Sequence, residues 1–359
     1  MTAGEYEHLI YGLEFQARSL ATQTAPHNVD CDVTRFMIGT QTLKLANNQI
    51  HIIEIGDEAS ITSQQVYPHP VGELWHLHWS AHNPQLISSC YNMIDEKESA
   101  VQKCSLWTLP EKENTLELVS NIDCDDEIRV AFFHPSDNAK FLTVADSKFF
   151  IWDISKDSPR EVFSKPIQGK GSQKFANGKW NPQESGASLA TLQETMVKGW
   201  DLRSAREAWT IDQAHLQAVR DIDYNKNRQH VLCSCGDDGL VKIWDLRALT
   251  NPLLTLSGHS HWAWCVRYNP LHDGLILSSG SDASGRLWWA ASVASDPLPI
   301  TAKNTDGPLQ QYTAMEDSVY AAEWSGADPW TFALLSYDGR LLIHRVPKQI
   351  KLDILVQSN

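Results

Sequence analysis

Apolar residues along this chain gather in short β-prone runs broken by polar turn signals. Asp238-Gly239 and Asp338-Gly339 each sit between two such runs, the arrangement of an antiparallel hairpin. Loops such as YNKNRQH, HPSDNAK and NPLHDG precede the runs at regular intervals. The pattern predicts many short strands joined by tight turns, an all-β chain.

The runs also repeat. LATLQETMVKGWDLR ending at Arg203, LCSCGDDGLVKIWDLR ending at Arg247 and LSSGSDASGRLWWA ending at Ala290 line up without gaps, and Trp200, Trp244 and Trp288 are spaced 44 residues apart. That period is the one expected of a WD40 unit of about 40 to 45 residues. The phase extends to Trp152, Trp107 and Ile53 upstream and to His344 downstream, which makes seven units. Four strands per unit and seven units predict a seven-bladed β-propeller, one domain over residues 1–359. Fourteen tryptophans fit this geometry, because a large flat ring at a fixed strand position fills the gap between blades. Residues 1–8 look too short and polar to supply a strand, so IKLDILVQ at 350–357 is expected to close the last blade. Polar insertions fall near 92–103 and 291–311, and the second is expected to be an exposed loop between the last two blades. The segment GKGSQKFANGKW at 169–180 is expected to be a flexible connection.

Composition narrows the partners. A net charge of −14 disfavours a phosphate backbone, so nucleic acid is not expected. Seven cysteines (Cys31, Cys90, Cys104, Cys124, Cys233, Cys235, Cys265) with no glycosylation sequon suggest a reducing compartment. The start MTAGEYEHLIYGLEF has no signal-peptide pattern, and no apolar stretch is long enough to span a bilayer, so a cytoplasmic, monomeric protein is expected.

Candidate chemistry resolves mostly into architecture. His215, Ser234, Asp238 and Trp244 in one unit, and His259, Ser278, Asp282 and Trp288 in the next, hold the positions of the WD40 hydrogen-bonded tetrad. Serine, histidine and aspartate also suggest a hydrolase, but an indole as fourth member makes sense only in a buried network that ties strands together. No catalytic residue is assigned. Other units lack the full set: Glu194 and Ala190 accompany Trp200, Asp146 and Leu142 accompany Trp152, and Asp338 and Leu334 accompany His344, so apolar packing is expected to hold them. Cys233 and Cys235 lack a second pair at zinc spacing, and His259, His261 and His272 would need two loops to meet, so no metal is expected. No phosphate loop and no cofactor motif is present.

What remains is surface. Trp75, Trp264 and Tyr320 occupy one equivalent place near the start of the innermost strand, with Arg220 matching in a fourth unit. Trp262 with its neighbour His261 falls where the loop enters that strand, and aromatic and arginine anchors are what binding hot spots are made of. Packing between blades is the competing role, above all for Trp75 and Trp264. Two units end in Trp-Asp-Leu-Arg, at Arg203 and Arg247, a WDxR pattern similar to that of substrate receptors of cullin-RING ubiquitin ligases; arginine after a strand also pairs locally with aspartate.

Several stretches are more particular: IYGLEFQARSL at 10–20, NNQIHIIEI at 47–55, VRDIDYN at 219–225, HSHWAWCVRYN at 259–269, and SVYAAEWSGADPW with SYDGRLLIHRVP near the end. They resemble the EARP- and GARP-complex-interacting protein family over most of the chain. The resemblance implies a non-enzymatic adaptor whose partners are EARP and GARP tethering-complex subunits. It further implies peripheral association with trans-Golgi and endosomal membranes through those partners, in recycling, retrograde transport and dense-core vesicle cargo sorting. It assigns no individual residues.

Overall fold

Residues 8–24, 33–56, 60–94, 98–110, 114–156, 158–167, 174–183, 186–295 and 305–357 are described by a computed structural model. Cys31 and the parts of the 92–103, 169–180 and 291–311 segments outside these ranges lie beyond the described residues. Within them the chain forms seven four-stranded antiparallel sheets, the seven-bladed propeller expected from the repeat. The inner strands of blades one to seven are Ala17–Thr22, Glu73–Trp79, Ile128–Phe133, Phe175–Trp180, Val219–Tyr224, Ala263–Tyr268 and Val319–Trp324.

Blades one to six are each built from four consecutive strands. Blade seven has only three of its own, ending with Arg340–Arg345, and is completed by His8–Gly12 from the other end of the chain. The register is His8 opposite His344, Leu9 opposite Ile343 and Tyr11 opposite Leu341. The expectation that residues 350–357 would close the ring is therefore wrong: the other chain end supplies the strand from His8 onward, and residues 1–7 lie outside the described residues. An outer strand needs only one buried face and few residues: Tyr11 is buried, and its hydroxyl meets His51 Nδ1 of blade one at 2.8 Å. With the edge taken, Lys348–Gln357 becomes an α-helix. Ile350, Leu352 and Ile354 have the spacing of a strand, but Ile350 and Ile354 also lie one helical turn apart. The helix packs these two onto the core around Trp330 and leaves Leu352 exposed.

Two other segments differ from expectation. Phe175–Trp180, inside the supposed flexible connection, is the inner strand of blade four. The 291–311 insertion lies within blade six rather than between blades, because Gly307–Tyr312 is that blade's outer strand. Its first residues, Ala291, Val293 and Ala294, are buried. The 92–103 insertion is largely an extended hairpin, with Leu86–Ile94 pairing Ala100–Thr108.

Apolar clusters join each blade to the next. Val231, Cys233, Ile243 and Leu256 of blade five pack against Val266, Tyr268, Ile276 and Trp288 of blade six, with Trp288 wholly buried. Both faces of the inner strands are thus covered, and each blade leaves only a short outer strand at its edge.

One irregularity recurs in every blade. The inner strand bulges near its start, between Ala17 and Ser19, Leu74 and His76, Ile128 and Val130, Phe175 and Asn177, Val219 and Asp221, Ala263 and Cys265, and Val319 and Ala321. A bulge leaves one residue unpaired and re-aims its side chain. Here the unpaired residues are Arg18, Trp75, Arg129, Ala176, Arg220, Trp264 and Tyr320, one from each blade around the central channel.

Candidate partner-binding site

The two tetrads are continuous hydrogen-bond chains. His215 meets Asp238 Oδ1 at 2.8 Å and Ser234 Oγ at 2.7 Å, and Trp244 Nε1 donates to Ser234 at 3.0 Å. His259 meets Asp282 Oδ1 at 3.0 Å and Ser278 Oγ at 2.7 Å, and Trp288 Nε1 donates to Ser278 at 2.8 Å. Ser234 and Ser278 are fully buried, each already held by an imidazole and an indole. A substrate has no approach to either oxygen, so these serines bind the strands and do no chemistry.

The hydroxyl–indole bond is more widespread than the serine spacing suggests. Trp152 donates to Thr143 at 2.9 Å, Trp200 to Thr191 at 2.8 Å and Trp107 to Ser89 at 2.8 Å. Ser89 in turn meets His69 Nε2 at 3.1 Å. Leu142 and Ala190 are not the relevant residues, because the hairpins of those two blades are one residue shorter than the one carrying Asp238 and Gly239. The invariant is register: the hydroxyl stands two residues beyond the tryptophan's cross-strand partner, which is Leu232, Phe141, Leu189 or Ile87. These blades are therefore tied by a buried polar link as well as by apolar packing, and gapless alignment hid it.

The bulge residues surround the mouth of a channel of about 1250 Å³. Trp75, Trp264 and Tyr320 come together there, as equivalent positions require, but around a residue that alignment on the tryptophans missed. The Arg18 guanidinium lies 4.3 Å from the Tyr320 ring centre, 4.5 Å from Trp75 and 5.2 Å from Trp264. Arg220 lies 4.7 Å from Trp264 and 5.7 Å from Trp262. Each cation–aromatic contact contributes on the order of 1 kcal/mol when partly desolvated. The signal for Arg18 is its place one residue after Ala17, matching Arg220 after Val219; blade one has isoleucine in place of the tryptophan used for alignment.

Trp264 donates to Ser281 Oγ at 2.6 Å and is half-buried, while Trp262 crosses it edge-on at 5.9 Å and stays 40% exposed. His261 is exposed against Trp262, ring centres 4.9 Å apart. The rim therefore presents one accessible tryptophan on a fixed aromatic base. The Trp75 indole N–H has no acceptor among the described residues.

Deeper in the channel the wall is a compensated charge network. Lys179 pairs with Asp223 at 2.8 Å, and Arg267 pairs with Asp221 and, at 2.7 Å, with Glu323. Burial alone would lower the Arg267 pKa, but Asp221 and Glu323 hold it well above its ordinary value. His76 and His78 stack beside this network, and burial keeps both neutral, His78 at about 3. Such a wall positions the strands and leaves little unpaired charge.

The remaining candidates sit apart. Arg203 and Arg247 are outside the channel mouth, with side chains 72% and 66% exposed. Arg247 forms a two-pronged pair with Asp245 at 2.6 and 2.9 Å, the local pairing that the motif allows. Cys233 and Cys235 are wholly buried, and burial pushes their thiols well above the usual range. His272 packs tilted against Trp330, away from the tetrad that holds His259. Among the described residues no group of three or more histidines, cysteines and carboxylates is placed to hold a metal, and no helix is long and apolar enough to cross a membrane.

Comparison with known proteins adds what geometry cannot. A rat protein named "EARP and GARP complex-interacting protein 1" is 40% identical, covering 97% of this chain and 98% of its own. A zebrafish "EARP-interacting protein homolog" is 41% identical over the same shares. "WD repeat-containing protein DWA2" of Arabidopsis thaliana is 34% identical over 94% of this chain and 95% of its own. The family model described as EIPR1 beta-propeller matches residues 6–288, from just before the closing strand to the sixth blade's tryptophan. The match over most of the chain and the full-length likeness show that the chain belongs to the EIPR1 beta-propeller family.

Proposed function

We propose that this chain is a non-enzymatic adaptor that binds the EARP and GARP tethering complexes through the channel-mouth rim, with Trp262 as its exposed anchor. The full-length likeness to relatives named for that interaction carries the reading. The rim gives it a physical form: Trp262 and His261 project from a base of Trp264, Trp75, Tyr320 and Arg220 that is already fixed, so little side-chain entropy is lost on docking. Its membrane association would then be peripheral, at trans-Golgi and endosomal surfaces and through the tethers, in support of recycling, retrograde transport and dense-core vesicle cargo sorting.

The test is affinity purification of the intact chain from cell extract, wild type against Trp262→Ala. Tether subunits should dominate the wild-type eluate and fall by about tenfold or more in the variant, as for a hot-spot aromatic, with the melting temperature little changed. A collapse in folding would make Trp262 structural. An eluate dominated by a cullin adaptor and emptied by Arg203→Ala/Arg247→Ala would replace the tether reading with a ligase one.

A further inference from the structure

Three of the seven bulge positions carry arginine, and two of the three are neutralised from within. Arg129 is paired with Asp146, and Arg220 with Asp237 through two contacts of 2.6 Å. Both aspartates occupy the same place: the residue just after the second-strand partner of the residue preceding the arginine. Ile128 stands opposite Ala145, followed by Asp146; Val219 stands opposite Gly236, followed by Asp237.

Blade one breaks this rule. Ala17 stands opposite Thr40, so the residue in the aspartate's place is Gln41, which carries no charge. Gln41 is buried, and its side-chain nitrogen has no hydrogen-bond partner among the described residues. Arg18 has neither an ion pair nor a hydrogen bond there; its ring contacts are with Trp75, Trp264 and Tyr320. Burial, and after it repulsion from Arg220, lower the Arg18 pKa, as befits a cation short of compensating charge. Aromatic faces stabilise the flat sides of a guanidinium but leave its edge N–H groups, which form the fork that fits a carboxylate. On a chain of net charge −14 this is a local cationic exception, and it lines the open channel with Trp264 between it and Trp262.

We propose that Arg18 is a receptor for a carboxylate supplied by an acidic segment of the docked protein partner, which takes the place that Asp146 and Asp237 fill in the other two blades. This deepens the adaptor reading by naming the partner's chemistry, and it rests on the same rim. The aromatic cage holds the guanidinium ready, so the incoming carboxylate meets a cation that is already oriented and partly dehydrated.

The decisive variant is Gln41→Asp, which would supply the missing internal counter-ion without removing Arg18. Its melting temperature should rise, and binding of purified tethering complex should weaken by roughly thirtyfold or more, as should binding by Arg18→Gln. Unchanged complex binding in Gln41→Asp and Arg18→Gln, with Trp262→Ala still defective, would overturn the carboxylate inference and leave the rim reading intact. Loss of binding after phosphatase treatment of the complex would show that the anion is a phosphate and likewise overturn it. If the complex fails to bind wild type at all, the adaptor reading falls and calorimetric titration with acetyl-hexaglutamate amide decides the inference alone. Saturable binding that is lost in Gln41→Asp supports it, and no saturable binding to wild type refutes it.

Discussion

Ser278 and Ser279 are adjacent, wholly buried residues of one strand, and replacing each with alanine should give opposite results. Ser278 Oγ accepts the Trp288 indole N–H at 2.8 Å and meets His259 Nε2 at 2.7 Å. Alanine there strands two buried polar groups, and each costs about 1–3 kcal/mol, so the loss should be about 2–6 kcal/mol. Ser279 Oγ has no partner among the described residues, so alanine there removes a buried polar atom that satisfies nothing. Stability should be unchanged or rise by up to about 1 kcal/mol. The volume change is the same in both, so the difference isolates the hydrogen bonds. For 359 residues the unfolding entropy is about 0.75 kcal/mol/K, which turns the Ser278→Ala loss into a melting-temperature drop of about 3–8 °C. Urea melts and differential scanning calorimetry on the two purified variants would measure it. Equal losses, or a larger loss for Ser279→Ala, would refute the claim that the polar chain ties this blade together.

Two further outcomes follow from closure and burial. Deleting residues 1–12 removes the strand paired to Arg340–Arg345 and bares that edge, so size-exclusion chromatography should show larger oligomers or aggregate than the intact chain gives; an elution profile like that of the intact chain would refute the closure role. Burial holds His51 and His69 at about 4 and His344 at about 3, whereas the unfolded chain takes up these protons near 6.5. The stability they confer is full above about pH 6.5 and is lost as pH falls towards 4, on the order of 2 kcal/mol per histidine by pH 5. The urea midpoint should therefore be lower at pH 5 than at pH 7.5, and an equal or higher midpoint at pH 5 would contradict it.

The fold and its repeat number are legible in local sequence pattern alone. The 44-residue spacing of Trp200, Trp244 and Trp288, the Asp-Gly turns and the tetrad residues are local patterns, because each blade is a hairpin unit whose strands pair with their neighbours in sequence. The aromatic rim was legible in part for the same reason, with Trp75, Trp264 and Tyr320 falling in one phase. Three other features depend on which segments the folded chain brings into contact. Which chain end closes the ring depended on competition for one edge across more than 300 residues, and Ile350–Ile354 satisfy a strand or a helix equally well until that edge is taken. The threonines that serve Trp152 and Trp200 depended on cross-strand register, which a one-residue change in hairpin length shifts without changing composition. Arg18 became significant only when closure of the ring brought blade one beside blade seven. Its cage of Trp75, Trp264 and Tyr320 is drawn from three blades, and no window of sequence contains it.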